Sequence, residues 1–83
     1  MNIAWQGRAV KQLRKLATKQ QVQIRNAVGT LVHFDKVKDV KKLRNHAYDY
    51  RLRVGRFRVF FNVHQKIEIV TIEEVKKRDE RTY

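Results

Sequence analysis

The clearest hydrophobic pattern in the chain is the alternation through residues 48–63. Tyr48, Tyr50, Leu52 and Val54 fall two apart, as do Phe57, Val59, Phe61 and Val63 beyond the glycine at position 55. Period-two alternation places these residues on one face of a pair of strands. A two-residue loop at Gly55-Arg56, with glycine in the first position, predicts a type II′ hairpin. In that register Arg53 lies directly across from Arg58, and Arg51 across from Phe60. Upstream the period lengthens. Val10, Leu13 and Ala17, flanked by Ala9 and Leu16, predict a first helix running from Gly7 to about Ala17. The run Thr18–Gln21 matches a capping box, with Thr18 at the N-cap, and Ile24, Ala27, Val28, Leu31 and Val32 form the apolar face of a second helix. Gly29 weakens that helix and suggests close packing there.

The remainder is read by composition. Residues 2–5 predict a short opening strand, residues 35–47 a charged loop pinned by Val40 and Leu43, and residues 66–75 a last strand rich in β-branched side chains. The length of the turn before that last strand, and so its register, is open. The expectation is one α+β domain over residues 1–83: a twisted, mainly antiparallel four-stranded sheet with the two N-terminal helices packed on one face.

Charge changes this picture. The net charge is +12, and residues 1–34 carry six lysines and arginines without a single acid. A field of that sign selects polyanions as partners. Alternation puts Asp49, Arg51, Arg53, Arg58, Phe60 and Asn62 on the sheet face opposite the helices. Like charges directly opposite one another destabilise a sheet, so the Arg53–Arg58 pair calls for a reason, and a bound phosphate supplies one. Arg8, Lys11 and Lys15 form a second basic stripe on the first helix. Arg56, in the turn, and Phe60, as a surface on which bases could stack, complete the candidate residues for binding such a polyanion, be it RNA, DNA or an acidic protein. There is no cysteine, so thiolate metal sites and thiol nucleophiles are excluded. His33, His46 and His64 lack metal-ligand spacing. No run approaches the roughly 18 apolar residues of a membrane span, and no secretory signal is recognisable. A cytosolic protein is expected.

The opening strand ending in Trp5, the helix "AVKQLRKLA", the segment "KKLRNHAYDYRLRVGRFRVFFNV" and the ending "IEEVKKRDERTY" together resemble the RelE/ParE superfamily of bacterial toxins from toxin–antitoxin systems. The resemblance spans nearly the whole chain, and the middle segment is its most specific part. In the RelE branch it implies an endoribonuclease that cleaves messenger RNA in the ribosomal A site and so inhibits translation, with no cofactor. By the same resemblance the catalytic positions are Arg51, Arg53 and Arg58 on the strands, Lys77 or Arg78 in the tail, and Tyr83. The implied partners are the ribosome and messenger RNA, and a cognate acidic antitoxin, with operator DNA met only through that antitoxin and no membrane. Arginines stand at 51 and 53 where well-known members have lysines, which removes a strand proton carrier. A gyrase poison of the ParE branch and a non-catalytic RNA- or ribosome-binding module are the alternatives.

Overall fold

The structure, a computed structural model, describes residues 1–78. The chain runs β1 (Asn2–Trp5), α1 (Gly7–Arg14), α2 (Thr18–Gly29), a 3-10 segment (Thr30–Lys36), β2 (Val40–Lys42), β3 (Tyr50–Val54), β4 (Phe57–His64), a 3-10 turn (Gln65–Ile67) and β5 (Ile69–Lys77). The five strands form one sheet in the order β1-β5-β4-β3-β2. All pairings are antiparallel except β1 with β5.

The expected α+β architecture is therefore present, with five strands in place of four. The added strand is β2, inside the segment expected to be a loop. Val40 anchors it against Leu52, and Lys41 and Lys42 pair with Arg51 and Tyr50. Only Val40 of the three packs on the core, so nothing in this run alternates long enough to mark a strand. The 3–4 hairpin, by contrast, has the expected register: Val54 pairs with Phe57, Arg53 with Arg58 and Arg51 with Phe60. Gly55 adopts φ +55° in the loop, while Arg56 does not enter the left-handed region, as a type II′ turn requires.

The helices cover one face of the sheet. On α1 the buried residues are Ala9 and Leu13, with Leu16 following them against the core. The helix is thus rotated from the expected Val10–Leu13–Ala17 stripe, and it ends at Arg14. Thr18 is not the N-cap of α2. Ala17 is, and its N–H donates to Gln20 Oε1 at 3.3 Å. Gln21 instead turns back, donating to the Leu16 carbonyl at 2.8 Å, so it closes α1 rather than opening α2. Ile24, Val28 and Leu31 are buried as expected, while Val32 stays exposed. A side chain at Gly29 would meet nothing within 4 Å, so close packing is not the reason for that glycine. Tyr50 seals the hairpin end of the core, stacked on Phe61 with ring centroids 5.4 Å apart and edge-on to Phe34 at 5.3 Å.

One irregularity positions the site. Along β5 the buried residues are Val70, Ile72 and Val75, a spacing that breaks period two. The sheet absorbs the extra residue as a bulge: Phe61 pairs with Ile72 but Phe60 pairs with Glu74. The bulge returns Val75 to the core and turns Glu74 onto the face away from the helices. Beyond Ile72, β5 has no partner on its β1 side. Gln12 of α1 fills that edge, its Oε1 accepting the Val75 N–H at 2.6 Å.

Candidate RNA-binding site

The face opposite the helices carries a depression of about 210 Å³ lined by Arg51, Arg53, Gly55, Phe57, Arg58 and Arg78. Four arginines converge there, three from two strands and one from the residue that follows β5. Arg51 and Arg53 are set two apart on β3, Arg58 faces Arg53 across the hairpin, and Arg78 follows directly on β5. The Arg78 N–H is tied to the Arg56 carbonyl at 2.6 Å, which holds the tail against the turn. The Arg58 guanidinium has its proton affinity lowered, first by burial and then by the neighbouring charges of Arg51, Arg78 and Arg53. The Arg51 Nε is buried and has no hydrogen-bond partner among the described residues. The depression thus gathers four guanidinium groups in one concave surface. Arginine forks match phosphate oxygens two at a time.

The tail alternatives separate by geometry. Lys77 pairs with Phe57, Lys76 with Arg58. Alternation therefore sends Lys77 toward the helix side, and Arg78 is the tail cation in the depression. Tyr83 lies outside the described residues. Arg56 is exposed in the turn and does not line the depression; its carbonyl accepts the Arg78 N–H. Lys11 on α1 and Lys15 at its C-cap are exposed and do not line the depression. Arg8 is different. Its Nη1 donates to the Tyr48 hydroxyl at 3.1 Å, so α1 reaches around the open edge of β5 to the arginine face.

Tyr48 is the clearest departure from the alternation. It was expected beside Tyr50 in the core, yet β3 begins only at Tyr50, and residues 44–49 bend, with Asn45 at φ +51°. Period two does not extend through a bend, and Tyr48 packs on Phe60, ring centroids 5.7 Å apart. Its hydroxyl donates to Glu74 Oε2 at 2.9 Å, while Gln12 Nε2 donates to Glu74 Oε1 at 3.3 Å and Lys76 Nζ lies 3.6 Å from that oxygen. Burial is the largest single influence on the Glu74 carboxyl and acts to raise its pKa. The hydrogen bonds from Tyr48 and Gln12 and the charges of Lys76 and Arg8 together outweigh it, and the pKa falls below its usual 4.5. The Tyr48 phenol moves up, chiefly because it donates to Glu74. Glu74 is thus an ionised anchor with both oxygens engaged, and a poor general base.

Phe60 is only 8% exposed. His46 covers it, the two rings stacked at 5.1 Å and 15°. His46 Nδ1 accepts the Tyr48 N–H at 3.1 Å, which leaves the proton of the neutral ring on Nε2. By sequence, Glu74 and His46, like Glu73 and Asp49, are possible general bases with no spacing argument behind them, and Tyr48 is a core residue. The β5 spacing 70, 72, 75 signalled that Glu74 changes face; nothing local signalled the turn that brings His46 over Phe60.

Fold and site together define a small α+β domain with two helices on one sheet face and an arginine-lined depression on the other. In fold the chain is RelE-like. The isolated Escherichia coli RelE toxin superposes with a TM-score of 0.79 at 20% identity, over 95% of this chain and 85% of that one. RelE from the archaeal RelE–RelB complex of Pyrococcus horikoshii OT3 gives 0.77 at 26% identity, over 95% and 96%. The toxin–antitoxin complex RelBE2 of Mycobacterium tuberculosis gives 0.78 at 23%, over 93% and 96%. No protein-family model and no curated protein sequence matches the chain. Among the described residues, no helix is long and apolar enough to cross a membrane.

Proposed function

We propose that the chain is the toxin of a toxin–antitoxin pair and acts as a ribosome-dependent endoribonuclease on messenger RNA. The observation that carries this reading is the convergence of Arg51, Arg53, Arg58 and Arg78 on one depression. The likeness to RelE toxins, several of them solved with their antitoxins, supplies the biological setting. The acidic partner fits the charge: a +12 surface attracts such a chain over long range.

RNA brings its own nucleophile. The 2′-oxygen attacks the adjacent phosphorus, its proton leaves to a base, the phosphorus–O5′ bond breaks, and O5′ takes up a proton. Negative charge grows on the non-bridging oxygens as the phosphorane forms. Preorganised cations aimed at that growing charge are usually the largest contribution to such a reaction. Arg53 and Arg58, directly opposed on the hairpin, are placed to hold the two sides of the phosphate. Arg51 and Arg78 close the cup along the strand direction and at the tail. None of the four arginines gives up a proton readily, so proton transfer falls to another group. Glu74 is excluded from that role by its engaged oxygens and lowered pKa.

Induced expression of the chain alone tests the proposal. Pulse labelling is expected to show protein synthesis falling first, with messenger fragments accumulating. DNA synthesis stopping first, with double-strand breaks, would instead mark a gyrase poison. Binding to ribosomes with messenger left intact would mark a non-catalytic module.

A further inference from the structure

Beside the arginine depression lies a feature that phosphate binding does not use. His46 is exposed, yet one face of its ring is pressed flat on Phe60. What remains open is its outer face and edge. The ring is held from three directions. Phe60 supports it from below, the Tyr48 ring packs at its flank with centroids 5.8 Å apart, and its Nδ1 accepts the Tyr48 N–H. Tyr48 is in turn fixed by Glu74 and Arg8. Asn45 takes the left-handed conformation that turns the loop back over the sheet, one that asparagine adopts more readily than most residues. His46 and Tyr48 also wall a cleft of about 280 Å³ at this end of the sheet. An exposed planar ring so firmly supported is expensive to build for solvent alone.

Its position relates it to the anion site. Phe60 pairs directly with Arg51 and lies two residues along β4 from Arg58, a span of about 7 Å. That is the reach from a phosphate to a base of the same or the next nucleotide.

We propose that the outer face of His46 is a stacking platform for the nucleobase adjoining the phosphate held by the arginines. The proposal rests on the reading of that depression as an RNA phosphate site. The platform accepts any base, since every base presents a π-face, and it fixes the backbone so that the 2′-oxygen, phosphorus and O5′ stay aligned over the arginines. His46 is a binding residue here, and the Tyr48–Glu74–Arg8 chain positions it.

Single-turnover cleavage on programmed ribosomes tests this, comparing the parent with His46→Ala and His46→Phe. The messengers are intact or carry an abasic nucleotide at one position flanking the cut. On intact messenger, His46→Ala is expected to lower the rate at subsaturating protein by about tenfold or more, as loss of one stacked base does. His46→Phe keeps the ring and restores most of it. On the messenger abasic at the stacked position, all three proteins cut at the same reduced rate, because the partner of the ring is already gone. An equal loss from His46→Ala on every messenger, or no loss on any, overturns the platform while leaving the phosphate site standing. A parent that cuts no messenger overturns both.

Discussion

Arg53 and Arg58 show what the site costs the fold. Directly opposed like charges destabilise a sheet by a few tenths to about 1 kcal/mol; burial chiefly, and after it the charges of Arg51, Arg78 and Arg53, lower the proton affinity of Arg58. This conflict was legible in the sequence because strand alternation and a glycine turn fix the register without tertiary information. The surroundings of Glu74 were not, because they depend on a bulge and on a helix residue 62 positions away. Glu74 offers a test by acid. Its pKa is depressed in the folded chain, so its contribution is complete above the unfolded value near 4.5 and is lost as pH falls through the folded one. Glu74→Gln is expected to lower stability at neutral pH by on the order of 1 kcal/mol. As acid takes the pH down through the depressed folded pKa, the gap from the parent should narrow as the parent carboxyl protonates. Urea midpoints at the two pH values measure this, and a gap of constant size would show that the carboxylate is not what holds Tyr48 and Gln12.

At the scale of elements, the hairpin, both helices and the opening strand could be read from hydrophobic spacing, because each buries one face along several turns or residues. β2 could not, since only Val40 of its three residues packs on the core. The rotation of α1 was missed because Ala9 and Val10 are both apolar, and only packing decides between them: Ala9 is fully buried, and Val10 is not. The join between α1 and β5 depends on a single polar residue. Gln12 accepts the Val75 N–H where the sheet has no strand to do so, and it donates to Glu74. Gln12→Ala leaves a strand N–H and a carboxylate oxygen without these partners, at a cost of about 1–3 kcal/mol. Native-state hydrogen exchange should show the Val75 amide losing protection in Gln12→Ala while the amides of Val59 and Phe61 keep theirs. Unchanged protection at Val75 would mean that another group closes the edge.

Across the whole molecule, the two faces of the sheet divide the work. One face buries Leu52, Val59, Phe61, Val70 and Ile72 under the helices; the other gathers the arginines, with Arg8 brought round from α1. The resemblance to RelE is carried by the strand segment and its basic alternation, and the superposition over 95% of the chain agrees with it in fold. The central claim is that the arginine cup stabilises a phosphate under attack by its own 2′-oxygen. The most direct measurement is single-turnover cleavage of messenger on programmed ribosomes, with the fragment ends determined, for the parent and Arg58→Ala. The parent should yield 5′-hydroxyl fragments, and a 2′-O-methyl group on the nucleotide before the cut should abolish cleavage there. Arg58→Ala should slow the chemical step about a hundredfold, or on the order of 3 kcal/mol. Cleavage that survives the 2′-O-methyl group, or an Arg58→Ala rate equal to the parent's, would contradict the account.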